Sequence, residues 1–421
     1  MTSRDRLTTA LQHRIPDKIP IDFGATGVTG MHVLAIRNLR HHFGIDHRPV
    51  KVIEPYQMLG EIGPDLSDIL GIDTIGIAPK NTMFGFPNEN WKEFRTPWDQ
   101  LVLVPEKFNT RSNSAGDIFM HPEGDTALDA CARMPVKGYF FDAIIRQETI
   151  VEDQLDYRDN TEEFSEISGQ DIRYFEQQID LHADSGKAIV VNFGGTAVGD
   201  IALVPAMHLK YPRGIRDVAE WYISLISRPE YIHSVFDHQT RTALANIEKL
   251  YAAIGEKIDV VYICGTDFGT QDSQFCSADT FRSLYMPYYR RMNDWIHEHT
   301  GWKTFKHSCG AVEPLMELFI ESGFDILNPI QVNAAGMDPE LLKSRYGDRL
   351  VFWGGGVDTQ KTLSFGTPQH VENEVLKHCE IFSRNGGFVF TTVHNVQANV
   401  PVENLVAMFN AVRRFDGLST L

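Results

Sequence analysis

The chain has 421 residues, 43% of them hydrophobic, enough to bury a sizeable core in one large domain or two smaller ones. Its 39 basic and 56 acidic residues leave a net charge of −17 with no basic cluster, which argues against nucleic acid and anionic membranes as partners. The opening Met-Thr-Ser-Arg-Asp-Arg-Leu lacks a signal-peptide apolar core, and no stretch approaches the ~20 apolar residues that span a bilayer. The few scattered cysteines (Cys131, Cys264, Cys276, Cys309, Cys379) make no disulfide framework, so a reducing cytoplasm is the expected compartment.

Short apolar, β-branched runs recur along the chain, and most are followed by a helical pattern. The first two predicted strands are Lys18–Phe23 and Asp73–Ala78. Residues 80 to about 186 are too long for one crossover, and their pattern changes. Here Trp91–Phe94, Leu101–Val104 and Asp117–His121 read as short strands, with turns at Asn113-Ser-Ala-Gly and Pro122-Glu-Gly-Asp. A helical stretch from Glu162 to Asp184 follows.

The third predicted strand is Lys187–Phe193, with a helix over Ile215–Tyr251, and the fourth is Asp259–Ile263, with a helix over Ala278–His299. Trp302–His307, Asp325–Ile330, Arg349–Trp353 and Gly387–Thr392 complete the set. Their helices are Glu313–Ser322, Pro339–Tyr346, Pro368–Ser383 and Val402–Phe415. Most of the runs are near-continuous in apolar residues, the pattern of parallel strands covered on both faces. Eight such units predict a single-domain TIM (β/α)8 barrel over residues 1–421. The β-rich insertion, residues 80–160 between the second and third strands, is expected to form a lid at the C-terminal mouth.

Barrel chemistry sits at the carboxyl ends of the strands. Those ends carry Asp22, Asn192, the run Cys264-Gly-Thr-Asp267, His307 with Cys309, Asn328 with Gln331, Asp358, and His394-Asn395. In Trp302-Lys-Thr-Phe-Lys-His-Ser-Cys-Gly310, alternation along a strand puts residues 307 and 309 on one face, and Gly310 lets the chain turn away. Imidazole nitrogen and thiolate sulfur are donors that zinc prefers. A third ligand is needed. His394, ending the eighth strand, is the best candidate, with Cys264, Cys276 and Asp267 as competitors.

Other motifs carry less. Gly354-Gly-Gly lacks the Lys-Ser/Thr of a P-loop and is read as a place where backbone or substrate approaches closely. Asp180-Leu-His182, with Gly186 one residue late for a cobalamin-ligating motif, is read as a solvated helix end. No nucleophile elbow is present.

Several segments together resemble the uroporphyrinogen decarboxylase superfamily over nearly the whole chain. They are Arg4-Asp-Arg-Leu-Thr-Thr-Ala-Leu with Pro16-Asp-Lys-Ile-Pro20, Ala278-Asp-Thr-Phe-Arg with Tyr285-Met-Pro-Tyr-Tyr289, Gly354-Gly-Gly-Val-Asp358, and Gly386-Gly-Phe-Val-Phe through Asn399-Val-Pro-Val-Glu-Asn404. True decarboxylases carry Arg-Gln-Ala-Gly-Arg after the first strand and an aspartate after the second. This chain has Asp22-Phe-Gly-Ala-Thr-Gly-Val-Thr-Gly and Ile77-Ala-Pro79-Lys80 there. His307-Ser-Cys309-Gly instead matches the superfamily's zinc-dependent, corrinoid-linked methyltransferases, whose third ligand is a cysteine where this chain has His394.

The resemblance implies zinc held by His307, Cys309 and His394, and a corrinoid (cobalamin) on a separate partner protein. It also implies a small methylated, thiol or hydroxyl substrate, and a homodimer. Asp267 and Asn395 are the expected catalytic or orienting residues, and Asn192, Gln331 and Asp358 the expected pocket lining. Two alternatives stand beside this: a metal-free lyase acting on an aromatic or tetrapyrrole acid, and a non-catalytic protein that binds a tetrapyrrole or a corrinoid carrier.

Overall fold

The computed structural model describes residues 1–162 and 164–421; Glu163, inside the predicted helix Glu162–Asp184, lies outside the described residues. Seven strands form one parallel sheet in the order Phe388–Val389, Val351–Trp353, Ile326–Asn328, Lys303–His307, Val260–Cys264, Ala188–Val191, Thr74–Ile77. Each lies within or overlaps its predicted run.

The first predicted strand, Lys18–Phe23, is reduced to a short extended segment that nevertheless touches both edges of the sheet. Asp22 N–H donates to Phe390 O at 2.9 Å, Phe390 N–H to Pro20 O at 2.8 Å, and Asp73 N–H to Ile21 O at 2.8 Å. Its pairing is short for two reasons. Pro16 and Pro20 have no N–H to offer, and the Ile21 N–H is taken by the Asp73 carboxylate at 2.9 Å rather than by a strand carbonyl.

Side-chain alternation divides the core in two. Ala188, Val190, Val260, Phe305, Ile326, Val351, Trp353 and Val389 form an inner cluster, while the residues between them, such as Ile189, Val191 and Val261, join the outer layer against the helices. The N-terminal helix Ser3–Leu11 adds Leu7 and Leu11 to the inner cluster. It is fixed by Arg6 on Asp73 at 2.5 Å and Arg4 on Asp259 at 2.8 Å, aspartates that precede the strands. This helix therefore plugs the amino ends of the strands.

The insertion is not confined to residues 80–160. Leu101–Val104 pairs in parallel with Val50–Glu54, a strand the sequence reading did not assign, and antiparallel with Lys92–Arg95. A second antiparallel meander runs through Thr110–Ser112, Ile118–Met120, Ala132–Met134 and Asp142–Ala143. The first of these sheets is tied to the helix Val33–His42, where Gln100 Nε2 donates to Val33 O at 3.0 Å, and Arg146, just past the second, donates to Leu209 O at 2.8 Å in the loop after Ala188–Val191.

The predicted helix Ile215–Tyr251 is two helices, Val218–Ser227 and Pro229–Ile254. Pro229 starts the second because it cannot continue the first. Within the predicted Glu162–Asp184 stretch the helix is Gly169–His182, N-capped by Ser168. Among the described residues no helix is long and apolar enough to cross a membrane.

Candidate metal centre

The strand Lys303–His307 places its odd-numbered side chains inward, so Phe305 enters the inner cluster and His307 follows it one step nearer the carboxyl end. Cys309 lies just beyond, where Gly310 turns the chain at φ +91°. A Cβ on residue 310 would stand 2.3 Å from the Gly269 carbonyl carbon, so the loops after two neighbouring strands can close on one another only with glycine there. Gln331 secures the same turn by accepting the Gly310 N–H at 2.7 Å.

Ligand atoms of His307, Cys309 and His394 all lie within 4.8 Å of one another, and they form the one such cluster of His, Cys, Asp or Glu among the described residues. Cys309 Sγ is 3.3 Å from His307 Nε2, and the two imidazole rings meet edge to face at 5.5 Å between centroids. Both histidines are turned the same way. His307 Nδ1 is 2.6 Å from Asn328 Oδ1, and His394 Nδ1 is 2.9 Å from Asn395 Oδ1. Each amide is oriented in turn. Asn328 Nδ2 donates to Trp353 O at 2.7 Å, and Asn395 Nδ2 to Gln57 Oε1 at 2.6 Å. An amide oxygen can only accept, so each Nδ1 carries the proton and each Nε2 keeps its lone pair.

Burial pulls His307 down to about 4, so it is a neutral imidazole near pH 7 despite the nearby Asp267. Burial, reinforced by the Asp267 carboxylate, pushes the Cys309 thiol well up. A metal bound here would therefore displace a thiol proton. Two imidazole nitrogens and one sulfur suit zinc, and both histidines carry the outer-shell acceptors that metal-ligating histidines ordinarily have.

Of the competing ligands, Cys264 is turned away. The register shifts between Tyr262 and Cys264, and the sulfur falls in the outer layer, 3.4 Å from Lys306 Nζ. That lysine is fully buried on the outward face of its strand, over the rings of Phe268 and Phe319. Cys276, whose thiol burial raises to about 11, is outside the cluster.

Asp267 borders the cluster: its Oδ1 accepts the Cys309 N–H at 2.6 Å and lies 3.7 Å from His307 Nε2. Asn395 holds His394, as described above. Asn192 ends its strand with Oδ1 accepting the Gly194 N–H at 2.9 Å. Asp358 shares no hydrogen bond with the cluster. It accepts from Asn333 at 3.1 Å and lines a different cavity with His370, Glu374 and His378, between two loops and the helix Pro368–Phe382. Gly354-Gly-Gly serves close backbone approach, since a Cβ on Gly355 would stand 2.8 Å from Ile330 O.

Two carboxyls near this end of the sheet were missed. Burial raises Glu54 to about 7 and Asp200 to about 6. Glu54 accepts the N–H of Gln57, the partner of Asn395, at 2.8 Å. The available signal was position alone: Glu54 closes the strand Val50–Glu54 in a segment left unassigned, and Asp200 stands four residues beyond Thr196.

Among curated proteins none matches the chain. A methyltransferase from Methanosarcina mazei superposes with a TM-score of 0.54 over 99% of each chain at 14% identity, a likeness of fold. The family model described as uroporphyrinogen decarboxylase (URO-D) matches residues 197–415, just over half of the chain and the part that carries His307, Cys309 and His394. The chain belongs to the uroporphyrinogen decarboxylase family.

Proposed function

We propose that the chain is a zinc-dependent methyltransferase of the corrinoid-linked branch of this family, serving a small thiol, hydroxyl or methylated substrate together with a corrinoid held on a separate protein. The observation that carries the reading is the convergence of His307, Cys309 and His394 with both imidazole Nε2 atoms free to coordinate. Zinc bound there would supply Lewis acidity that lowers the pKa of a thiol or hydroxyl.

The remaining work falls to the chain itself. Asn328 and Asn395 fix the rings, and Asp267 and Gln331 fix the loop that bears Cys309. In this reading residues 1–421 act as one barrel domain, with the Pro20–Asp22 segment as its eighth strand. The insertion within 80–160 is a lid over the carboxyl mouth that excludes water. Asn192 lines the pocket. The missing arginines after the first strand weigh against a tetrapyrrole acid as substrate.

The test is metal analysis of the purified chain with an assay of methyl transfer between methylcobalamin and small thiols. About one zinc per chain is expected in the wild type, with most of it lost in His307→Ala and Cys309→Ala. A metal-free, inactive wild type would sink the proposal and favour the lyase.

A further inference from the structure

We propose that Asp200 is the base that takes the proton from the thiol or hydroxyl of the methyl acceptor, with the Tyr262 hydroxyl beside it to hold the acceptor's heteroatom. This assignment rests on the methyltransferase reading. The sequence pattern singled out neither residue.

Tyr262 lies on the strand Val260–Cys264 with its side chain against the inner cluster, its ring 5.4 Å from that of Phe305. A Cβ on Gly265 would stand 2.6 Å from the Tyr262 hydroxyl and 2.9 Å from Asp200 Oδ2. Both oxygens therefore overhang one backbone point, and only glycine leaves room for them. Asp200 is held by main-chain donors, with Oδ1 accepting the Ala202 N–H at 2.9 Å. Two residues past Gly265, Asp267 accepts the Cys309 N–H, which connects this pair to the candidate metal centre.

The neighbourhood has polar groups without partners. Asp200 and Trp221 line a cavity of about 20 Å³, room for a single water beside the carboxyl, together with Gly199, Phe236 and Gln239. Among the described residues, Trp221 Nε1 and the Tyr222 hydroxyl, both on the helix Val218–Ser227, are buried without a hydrogen-bond partner. Donors left unmatched in this way cost free energy unless a water or a ligand completes them. The charged or titratable groups facing Asp200 are Asp267 from the loop after its neighbouring strand, Lys306 from the strand beyond, Tyr262, and Tyr222 from the helix. Burial is the largest influence and Asp267 adds to it, while Lys306 opposes; the outcome is a carboxyl poised near 6. A base with that poise is ionised at neutral pH and can be protonated in turn.

The step balances as a simple transfer. The acceptor's X–H bond breaks and its proton passes to Asp200. The freed electron pair forms the X–CH3 bond, and the pair of the breaking carbon–carrier bond stays with the carrier.

The experiment compares wild type, Asp200→Asn, Asp200→Glu and Tyr262→Phe by zinc content, by the pH profile of methyl transfer from methylcobalamin to a small thiol, and by melting temperature against pH. Zinc content should be unchanged in all variants. The wild-type rate should fall as pH drops through about 6. Asp200→Asn should lose that limb along with about 100-fold or more in kcat/KM, and Asp200→Glu should restore part of the rate. Asp200→Asn should also melt above wild type at pH 8, with the gap closing toward pH 4, because it removes a buried carboxylate that ionisation makes costly. An Asp200→Asn enzyme with wild-type rate and profile overturns the assignment and leaves methyl transfer standing. A wild type with neither zinc nor methyl transfer overturns both, and any melting gap then reports only a buried carboxyl.

Discussion

At the residue scale, the candidate centre depends on side chains that never touch the metal position. Asn328 and Asn395 each spend an amide oxygen on a histidine Nδ1, and each is locked by its own amide nitrogen on another acceptor. Removing such a partner frees the ring to rotate or change tautomer. Asn328→Ala or Asn395→Ala should therefore weaken zinc retention by about 10–100-fold in a chelator competition while leaving the fold intact. Retention equal to wild type in both would show that the rings are held by packing alone. His394 allows a sharper comparison, because the resemblance to the corrinoid-linked methyltransferases implies a cysteine at its position. His394→Cys should keep the metal and His394→Ala should lose it; metal retained in His394→Ala together with lost turnover would make it an acid or base instead. The ligand candidates could be read from sequence because donor chemistry is a property of residue type. Of their partners, Asn395 was among the expected orienting residues, but Asn328 as the partner of His307 could not be read, because that pairing is set by strand register. Gln331, expected to line a pocket, is spent on the Gly310 turn, and Asp358 faces another cavity.

At the element scale, the parallel strands were legible because burial on both faces writes a continuous apolar run, as in Ala188–Val191, where all four residues are buried. The helices Pro339–Tyr346 and Val402–Phe415 were legible at both ends. What escaped depends on distant partners. Val50–Glu54 is short and half-exposed, and its parallel neighbour Leu101–Val104 lies far along the chain. The register shift that turns Cys264 outward leaves no mark in composition. The turn after Lys303–His307 should be the least tolerant element. In Gly310→Ala the new methyl would meet the Gly269 backbone at a φ that alanine resists, so the loss should exceed ~1 kcal/mol, with weaker zinc binding. Denaturant melts showing a stable, zinc-loaded variant would refute that close packing. The amino-end plug allows the converse test. Leu7→Ala, at 0% exposure in the inner cluster, should cost about 2–5 kcal/mol without changing zinc content.

At the scale of the whole molecule, half-buried acids and buried or half-buried histidines set how stability responds to pH. Burial raises Glu54 from 4.5 to about 7, and Asp416, which accepts the Ile19 N–H at 3.1 Å, from 3.8 to about 6. With Asp200 these groups hold protons in the folded chain that the unfolded chain has already released. Between about pH 4 and 7 these three groups therefore make stability fall as pH rises, while His32, His208 and His307, each lowered by burial from 6.5 to about 4, hold fewer protons folded than unfolded and make it rise up to about 6.5. Asp17 acts in the opposite sense. Its hydrogen bond and ion pair with Arg6 lower it from 3.8 to about 2, so its contribution is present above the unfolded value and lost as pH drops toward 2. The net charge of −17 adds repulsion at the alkaline end. Because the two sets oppose each other, melting is compared between wild type and a variant in the presence of a chelator, so that metal uptake does not enter. The double variant Glu54→Gln, Asp416→Asn should gain on wild type as pH rises from about 4 to 8, because neither amide carries a charge to desolvate, although Gln at 54 can accept only one of the two main-chain N–H groups that Glu54 accepts. Added salt should relieve the repulsive part in wild type and double variant alike, and leave the difference between them. A double variant that melts in parallel with wild type from pH 5 to pH 8 would mean that these two carboxyls are solvated in the folded chain.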